Sequence, residues 1–103
     1  METKIITEIV QFEALDTTTD KQIVTAVQGL NQFQKAYEGF LDAEIAKDMK
    51  GDSWCIIFHY EKFECVKAIG AHLRSSKEFM DFNTLIVSES LNISFGQQLK
   101  NWQ

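Results

Sequence analysis

A chain of 103 residues, 45% hydrophobic and 24% charged, is the size and composition of one folding domain and excludes a disordered segment. Its net charge is −5, and Lys62, Lys67, Arg74 and Lys77 are scattered among acids, which argues against nucleic acid and against an anionic membrane surface. Met1 runs straight into Glu2 with no apolar leader, and no apolar run is long enough to cross a bilayer, so the expected location is cytoplasmic.

Residues 4–14 alternate Ile6, Glu8, Val10 and Phe12 with Ile5, Thr7, Ile9 and Gln11, a strand with apolar residues on both faces. Thr19-Asp20-Lys21-Gln22 has the form of a helix-opening capping box, in which hydroxyl and amide satisfy orphaned backbone groups. A helix is expected from Asp20 to Tyr37, with Ile23, Ala26, Val27, Leu30, Phe33 and Tyr37 on one face. Gly29 costs that helix about 1 kcal/mol against Ala and suits close packing on the sheet. Gly39 is the expected helix stop.

A second strand follows over residues 40–47. A hairpin turn at Met49-Lys50-Gly51-Asp52, with Gly51 in positive φ, leads into a third over residues 53–61. That third strand is aromatic and β-branched almost throughout. Trp54, Ile56, Phe58 and Tyr60 face one way; Cys55, Ile57 and His59 face the other. A second helix is expected over residues 62–73, with Val66, Ile69, Gly70 and Leu73 on one stripe. Ser75-Ser76-Lys77-Glu78 reads as a second capping box opening a short helix with Phe79 and Phe82, and residues 88–98 as a last strand. Cys55 and Cys65 lack metal-site spacing and read as free buried thiols.

The order β-α-β-β-α-(α)-β is the ferredoxin-like α+β arrangement, a four-stranded antiparallel sheet with helices on one face, expected as a single domain over residues 1–103. An apolar helix-free face would be an association site, and a second copy of the chain is the expected cover.

Ile5-Ile6-Thr7-Glu8-Ile9-Val10-Gln11-Phe12, Glu38-Gly39-Phe40-Leu41, the run from Trp54 to Tyr60 before a helix, and Ser75-Ser76-Lys77-Glu78-Phe79 together resemble the dimeric α+β barrel superfamily. The nearest resemblance is to its antibiotic biosynthesis monooxygenase-like family, which includes the heme-degrading monooxygenases. It covers almost the whole chain. It implies a homodimeric barrel with a pocket between sheet and helices in each subunit. It also implies oxygenation of a small aromatic or quinone-type compound without metal or flavin, so no cofactor is expected.

The heme-degrading branch uses an Asn, a Trp and a His at places that fall near Gln11, Tyr60 and Asn83 here. None of the three is kept, and the missing His is the iron's axial ligand, so heme degradation is disfavoured. Tyr60, Trp54, Gln11 and Asn83 are the candidate catalytic residues, as polar groups on an otherwise apolar wall that would hold oxygen and a phenolate. Phe33, Tyr37, Phe79 and Phe82 are the candidate substrate-binding residues. A core role is the competing reading for every one of these aromatics. His59 reads either as a general base or, because its parity points it away from Tyr60, as a hydrogen-bonded interface residue. His72 suits the negative end of the second helix. Glu13, Glu44 and Glu61 read as surface charges. The alternative to an enzyme is a non-catalytic small-molecule-binding or regulatory dimer of the same fold, its pocket holding an apolar ligand or its own Phe side chains.

Overall fold

The computed structural model describes residues 4–103, so the reading of Met1 and Glu2 lies outside the described residues. Its elements are β1 (Ile6–Glu13), α1 (Asp20–Lys35), β2 (Phe40–Lys47), β3 (Ser53–Tyr60), α2 (Phe63–Leu73), α3 (Lys77–Asn83), a 3-10 turn (Ser88–Ser90) and β4 (Asn92–Gln97). The four strands form one antiparallel sheet in the order β2-β3-β1-β4. This is the ferredoxin-like α+β arrangement.

Alternation along the two central strands sets the core. Val10 lies opposite Ile56, Phe12 opposite Trp54, and Ile6 opposite Tyr60, so these six share the helix-facing side. All six are buried there, with Phe58, against Ile23, Val27 and Leu30 of α1, Ile69 of α2 and Phe82 of α3. Phe82 meets the edge of Phe12 at 5.1 Å, and Phe12 stacks on Trp54 at 6.2 Å. The opposite, helix-free face carries Ile9, Cys55, Ile57 and His59, all half-buried.

Local chemistry explains the boundaries. At the start of α1 the Thr19 hydroxyl accepts from the Gln22 N–H, and the Gln22 side chain accepts from the Thr19 N–H at 2.8 Å, the full capping box. Helix α1 ends earlier than its apolar stripe suggests, with Ala36 as an ordinary right-handed cap. Gly39 does adopt positive φ, at 95°, but three residues past that cap, where the chain turns into β2. A Cβ there would collide with Cys65 Sγ.

Four expectations fail. Gly51 is not in positive φ: Gly39 is the one such glycine among the described residues. The β2–β3 loop spans residues 48–52 and is closed by the Asp48 N–H donating to the Ser53 carbonyl at 2.9 Å, and a loop of that length does not require the two-residue turn geometry. Ser75 is not a helix cap, because its N–H still donates to the His72 carbonyl in the last turn of α2. Ser76 takes that role, accepting from the Phe79 N–H, and the side chain three residues on is a phenyl ring, so only half a capping box forms. The last strand starts at Asn92, not Ser88. The Ser90 hydroxyl accepts from the Glu13 N–H at 2.8 Å and donates to the Val87 carbonyl, a side-chain bond where a strand ladder was expected. Gly29 faces Glu78 of α3 (Cγ 3.5 Å from a built Cβ) and not the sheet.

Gly39→Ala is expected to destabilise the fold by at least about 1 kcal/mol from its backbone conformation alone, and further through the thiol contact. Adding Cys65→Ala should return the part due to Sγ. Urea unfolding of the single and double variants reads both parts.

Candidate active site

Glu8 stands between Ile6 and Val10 on the helix-facing side of β1, an acid at a position the alternation assigns to the core. Tyr60 ends β3 two places along the ladder, and its hydroxyl donates to Glu8 Oε1 at 3.1 Å. Gln34, in the last turn of α1 and fully buried, presents Oε1 to the same hydroxyl. Strand, strand and helix thus converge on one polar trio inside an apolar layer.

A phenol carries one proton and cannot donate to both acceptors at once. If Glu8 is protonated, it donates to Tyr60 and Tyr60 donates to Gln34 Oε1. If Glu8 is ionised, Tyr60 donates to it, and Gln34 satisfies the phenol oxygen only by turning Nε2 toward it. As placed, Gln34 Nε2 is buried with no partner. The position of one proton therefore selects between two hydrogen-bond arrangements.

Burial raises the Glu8 carboxyl above its ordinary value of 4.5, and the Tyr60 hydrogen bond only partly offsets this. Tyr60 is raised above 10.0, first by burial and then by the negative charge of Glu8 and the hydrogen bond to it. Glu8 is thus drawn toward the range useful to a proton acceptor, whereas Tyr60 stays a neutral donor.

Beside the trio, between sheet and helices, is a small, partly open cavity of about 60 Å³. Glu8 is its acid; Phe58, Phe79, Phe82, Leu91 and Ile93 make much of its apolar wall. That is room for a few waters, well short of the several hundred Å³ of a ligand site. The closing side is lightly built: α3 is a seven-residue helix, Phe79 and Leu91 are only half-buried, and every residue of β4 is exposed.

The candidate catalytic residues do not come together. Tyr60 and Trp54 are buried on the same face but six residues apart along β3, about 20 Å. Gln11 lies on the helix-free side, opposite Cys55 and Asn92, because its parity in β1 is odd. With Trp54 it borders an open depression of about 460 Å³ at the hairpin end of the sheet, where Lys47 Nζ sits 5.3 Å over the indole. Asn83 is the half-buried last residue of α3.

Of the candidate substrate-binding residues, Phe79 and Phe82 line this cavity. Phe33 and Tyr37 do not: Tyr37 packs on Phe33 at 5.4 Å and stacks on His72 at 5.3 Å, joining α1 to α2. His59 points away from the cavity, its Nδ1 2.6 Å from Asp42 Oδ1. Cys55 and Cys65 are free, though half-buried instead of buried.

Glu8 and Gln34 went unread in the sequence. The signal for Glu8 was parity, an acid at i+2 from Ile6 and i−2 from Val10; that for Gln34 was its place four residues after Leu30 on the buried stripe of α1. Among the described residues, no three His, Cys, Asp or Glu side chains are grouped to hold a metal ion. None of the described helices is long and apolar enough to cross a membrane.

No family model matches the chain, and no curated protein does. Solved structures do share its fold. SnoaB, a cofactor-independent oxygenase from Streptomyces nogalater, is similar with a TM-score of 0.75 and 10% identity, over 95% of this chain and 96% of that one. A dimeric ferredoxin-like protein of unknown function from Thermobifida fusca gives 0.73 and 12%, over 95% and 94%. A protein from Bacteroides thetaiotaomicron described as a possible oxidoreductase gives 0.63 and 16%, over 93% and 97%. At these identities the likeness is one of fold.

The raised Glu8 carboxyl fixes the sign of a pH effect. Above 4.5 the unfolded chain releases this proton while the folded chain retains it, so the group's contribution to stability falls as pH rises toward neutrality. The stability of the native chain minus that of Glu8→Gln should therefore decrease from pH 5 to pH 8 in paired thermal-unfolding series. Tyr60→Phe keeps the ring packing but strands two buried polar groups, and should cost about 1–3 kcal/mol by urea titration.

Proposed function

We propose that this chain is a homodimeric, cofactor-independent oxygenase-like enzyme acting on a small phenol or quinol-type aromatic, admitted to the cleft between sheet and helices. The observation that carries the reading is the half-buried Glu8, bonded to the buried Tyr60 that also meets the buried Gln34, at an aromatic-walled cavity. A carboxylate withdrawn from water costs stability that an apolar side chain at the same place would not, and such a cost is characteristic of functional sites. The solved structures that share the fold, one a cofactor-independent oxygenase and one a possible oxidoreductase, support the same class.

The chemistry asked of the site is small. The Glu8 carboxylate accepts the phenol proton, and the phenolate passes one electron to O2, giving a phenoxyl radical and superoxide. These combine at a ring carbon bearing hydrogen, forming the C–O bond. The peroxide anion recovers the proton from Glu8, and the hydroperoxide loses water to leave a quinone, so one O2 gives one carbonyl oxygen and one water. Tyr60, as a neutral donor, holds and orients the Glu8 carboxylate, and the apolar wall keeps bulk water from the radical pair. The lightly packed side formed by α3 and β4 is the way in.

The small size of the cavity favours a second reading, a non-catalytic binding or regulatory dimer with Phe79 and Phe82 filling the cleft. Oxygen uptake separates the two. Chelator-treated protein given a panel of naphthols and quinols is expected to consume O2 in proportion to quinone formed, and Glu8→Gln to lose about 10²–10⁴ of that rate. Saturable binding of the same compounds with no uptake would establish the second reading and overturn the first.

A further inference from the structure

Helix α1 buries Ile23, Val27, Leu30 and Gln34, and only the last of these is polar. Gln34 is as completely buried as Ile23. A Leu there would continue the stripe with no amide to desolvate. Gln34 Oε1 meets the Tyr60 hydroxyl, whereas Nε2 has no partner. A buried N–H without an acceptor is rare in folded chains and costs stability. Packing therefore gives no reason for an amide at this place.

The reason lies in what Tyr60 needs from its second neighbour. A phenol has one proton, so between two partners it donates to one and accepts from the other. Toward ionised Glu8 it donates, and then needs a donor behind it. Toward protonated Glu8 it accepts, and then needs an acceptor behind it. An amide offers both, on two ends of nearly the same shape that a half-turn of its last bond exchanges. Tyr60 is the titratable group that faces Glu8. The side chains that share the acid's cavity from the packed elements are apolar: Leu30 of α1, Leu73 of α2, Phe79 and Phe82 of α3, Phe58 of β3 and Ile93 of β4.

We propose that Gln34 is a positioning residue whose amide turns end for end with each proton that Glu8 takes up or returns. With Glu8 protonated, its O–H donates to Tyr60, and Tyr60 donates to Gln34 Oε1. With Glu8 ionised, Tyr60 donates to the carboxylate, and Gln34 Nε2 donates to the phenol oxygen. Tyr60 and Gln34 keep their own protons in both arrangements. Each form of Glu8 thus ends a complete chain of hydrogen bonds, so the acid can accept a substrate's proton and give it back. An apolar residue at position 34 would serve one form better than the other. The inference rests on the reading of Glu8 as the proton acceptor, and adds the residue that keeps its two forms interchangeable.

NMR on the native chain, with isotope labels in the Gln34 amide and the Glu8 carboxyl, tests it without relying on any variant to fold. As pH rises through the Glu8 titration, one Nε2 proton is expected to gain a hydrogen bond. Its resonance should move to lower field and exchange more slowly with solvent, with the same midpoint as the carboxyl. Glu8→Gln should abolish the response. Gln34→Met keeps the length but has no donor and only a weak acceptor, so the Tyr60 proton is left without a partner when Glu8 is protonated. It should lower the carboxyl midpoint, and the acid limb of the O2-uptake profile with it, by about half a pH unit to one unit. Amide resonances that ignore the carboxyl, or a midpoint that Gln34→Met leaves in place, overturn the inference. An amide that follows the carboxyl in a chain that consumes no O2 upholds the turning amide and overturns the enzymatic reading instead.

Discussion

The alternation of side chains along β1 and β3 is the constraint on which the rest depends. In the observed register, Ile6, Val10, Phe12, Trp54, Ile56, Phe58 and Tyr60 all meet the helices. A slip of one residue would turn Ile9, Ile57 and His59 inward and expose that whole set. The register also decides where polar groups fall. It puts Glu8 and Tyr60 inside, within hydrogen-bond reach, and His59 and Gln11 on the side away from the helices. Core, cavity and outward face are consequences of one pairing.

Glu8 is the residue that packing alone does not account for. A Val or Ile would satisfy the same place on β1 with no desolvation to offset. Instead the fold brings a phenol and a fully buried amide to that carboxyl, and burial shifts the acid toward the proton-accepting range while keeping the phenol neutral. Two groups pushed into complementary roles by one environment form a common basis for proton transfer. The aromatic wall of Phe58, Phe79 and Phe82 supplies the dry surroundings that such a pair requires.

Much of the fold was legible because it is written in short-range terms. The period-2 pattern of β3, the 3.6-residue pattern of α1 and the Thr19–Gln22 capping box each hold in the structure. Two of the misreadings share a cause: each depended on where a neighbouring element stops. Ser75 is spent in the last turn of α2, so the cap falls to Ser76. Residues 88–90 coil because the Ser90 hydroxyl takes the Glu13 N–H. The site was less legible. Looking for amides and aromatic hydroxyls on a wall drew attention to Gln11, whereas the acid inside the core was its neighbour by three, Glu8. Parity had separated the two, and the pairing of Tyr60 with Gln34 depends on how α1 is set on the sheet, which its own stripe does not fix.

The helix-free face is the part of the sheet that the chain's own helices leave uncovered. Ile9 and Ile57 lie opposite each other at its centre, with Cys55 beside them and the His59–Asp42 pair at one end. On the proposed pairing this apolar patch is covered by its twin. Sedimentation velocity on the purified chain at micromolar concentration tests it most directly. Pairing through this face requires one species at twice the chain's mass, returned to single chains by Ile57→Glu; a stable, soluble single chain in the native protein would contradict it.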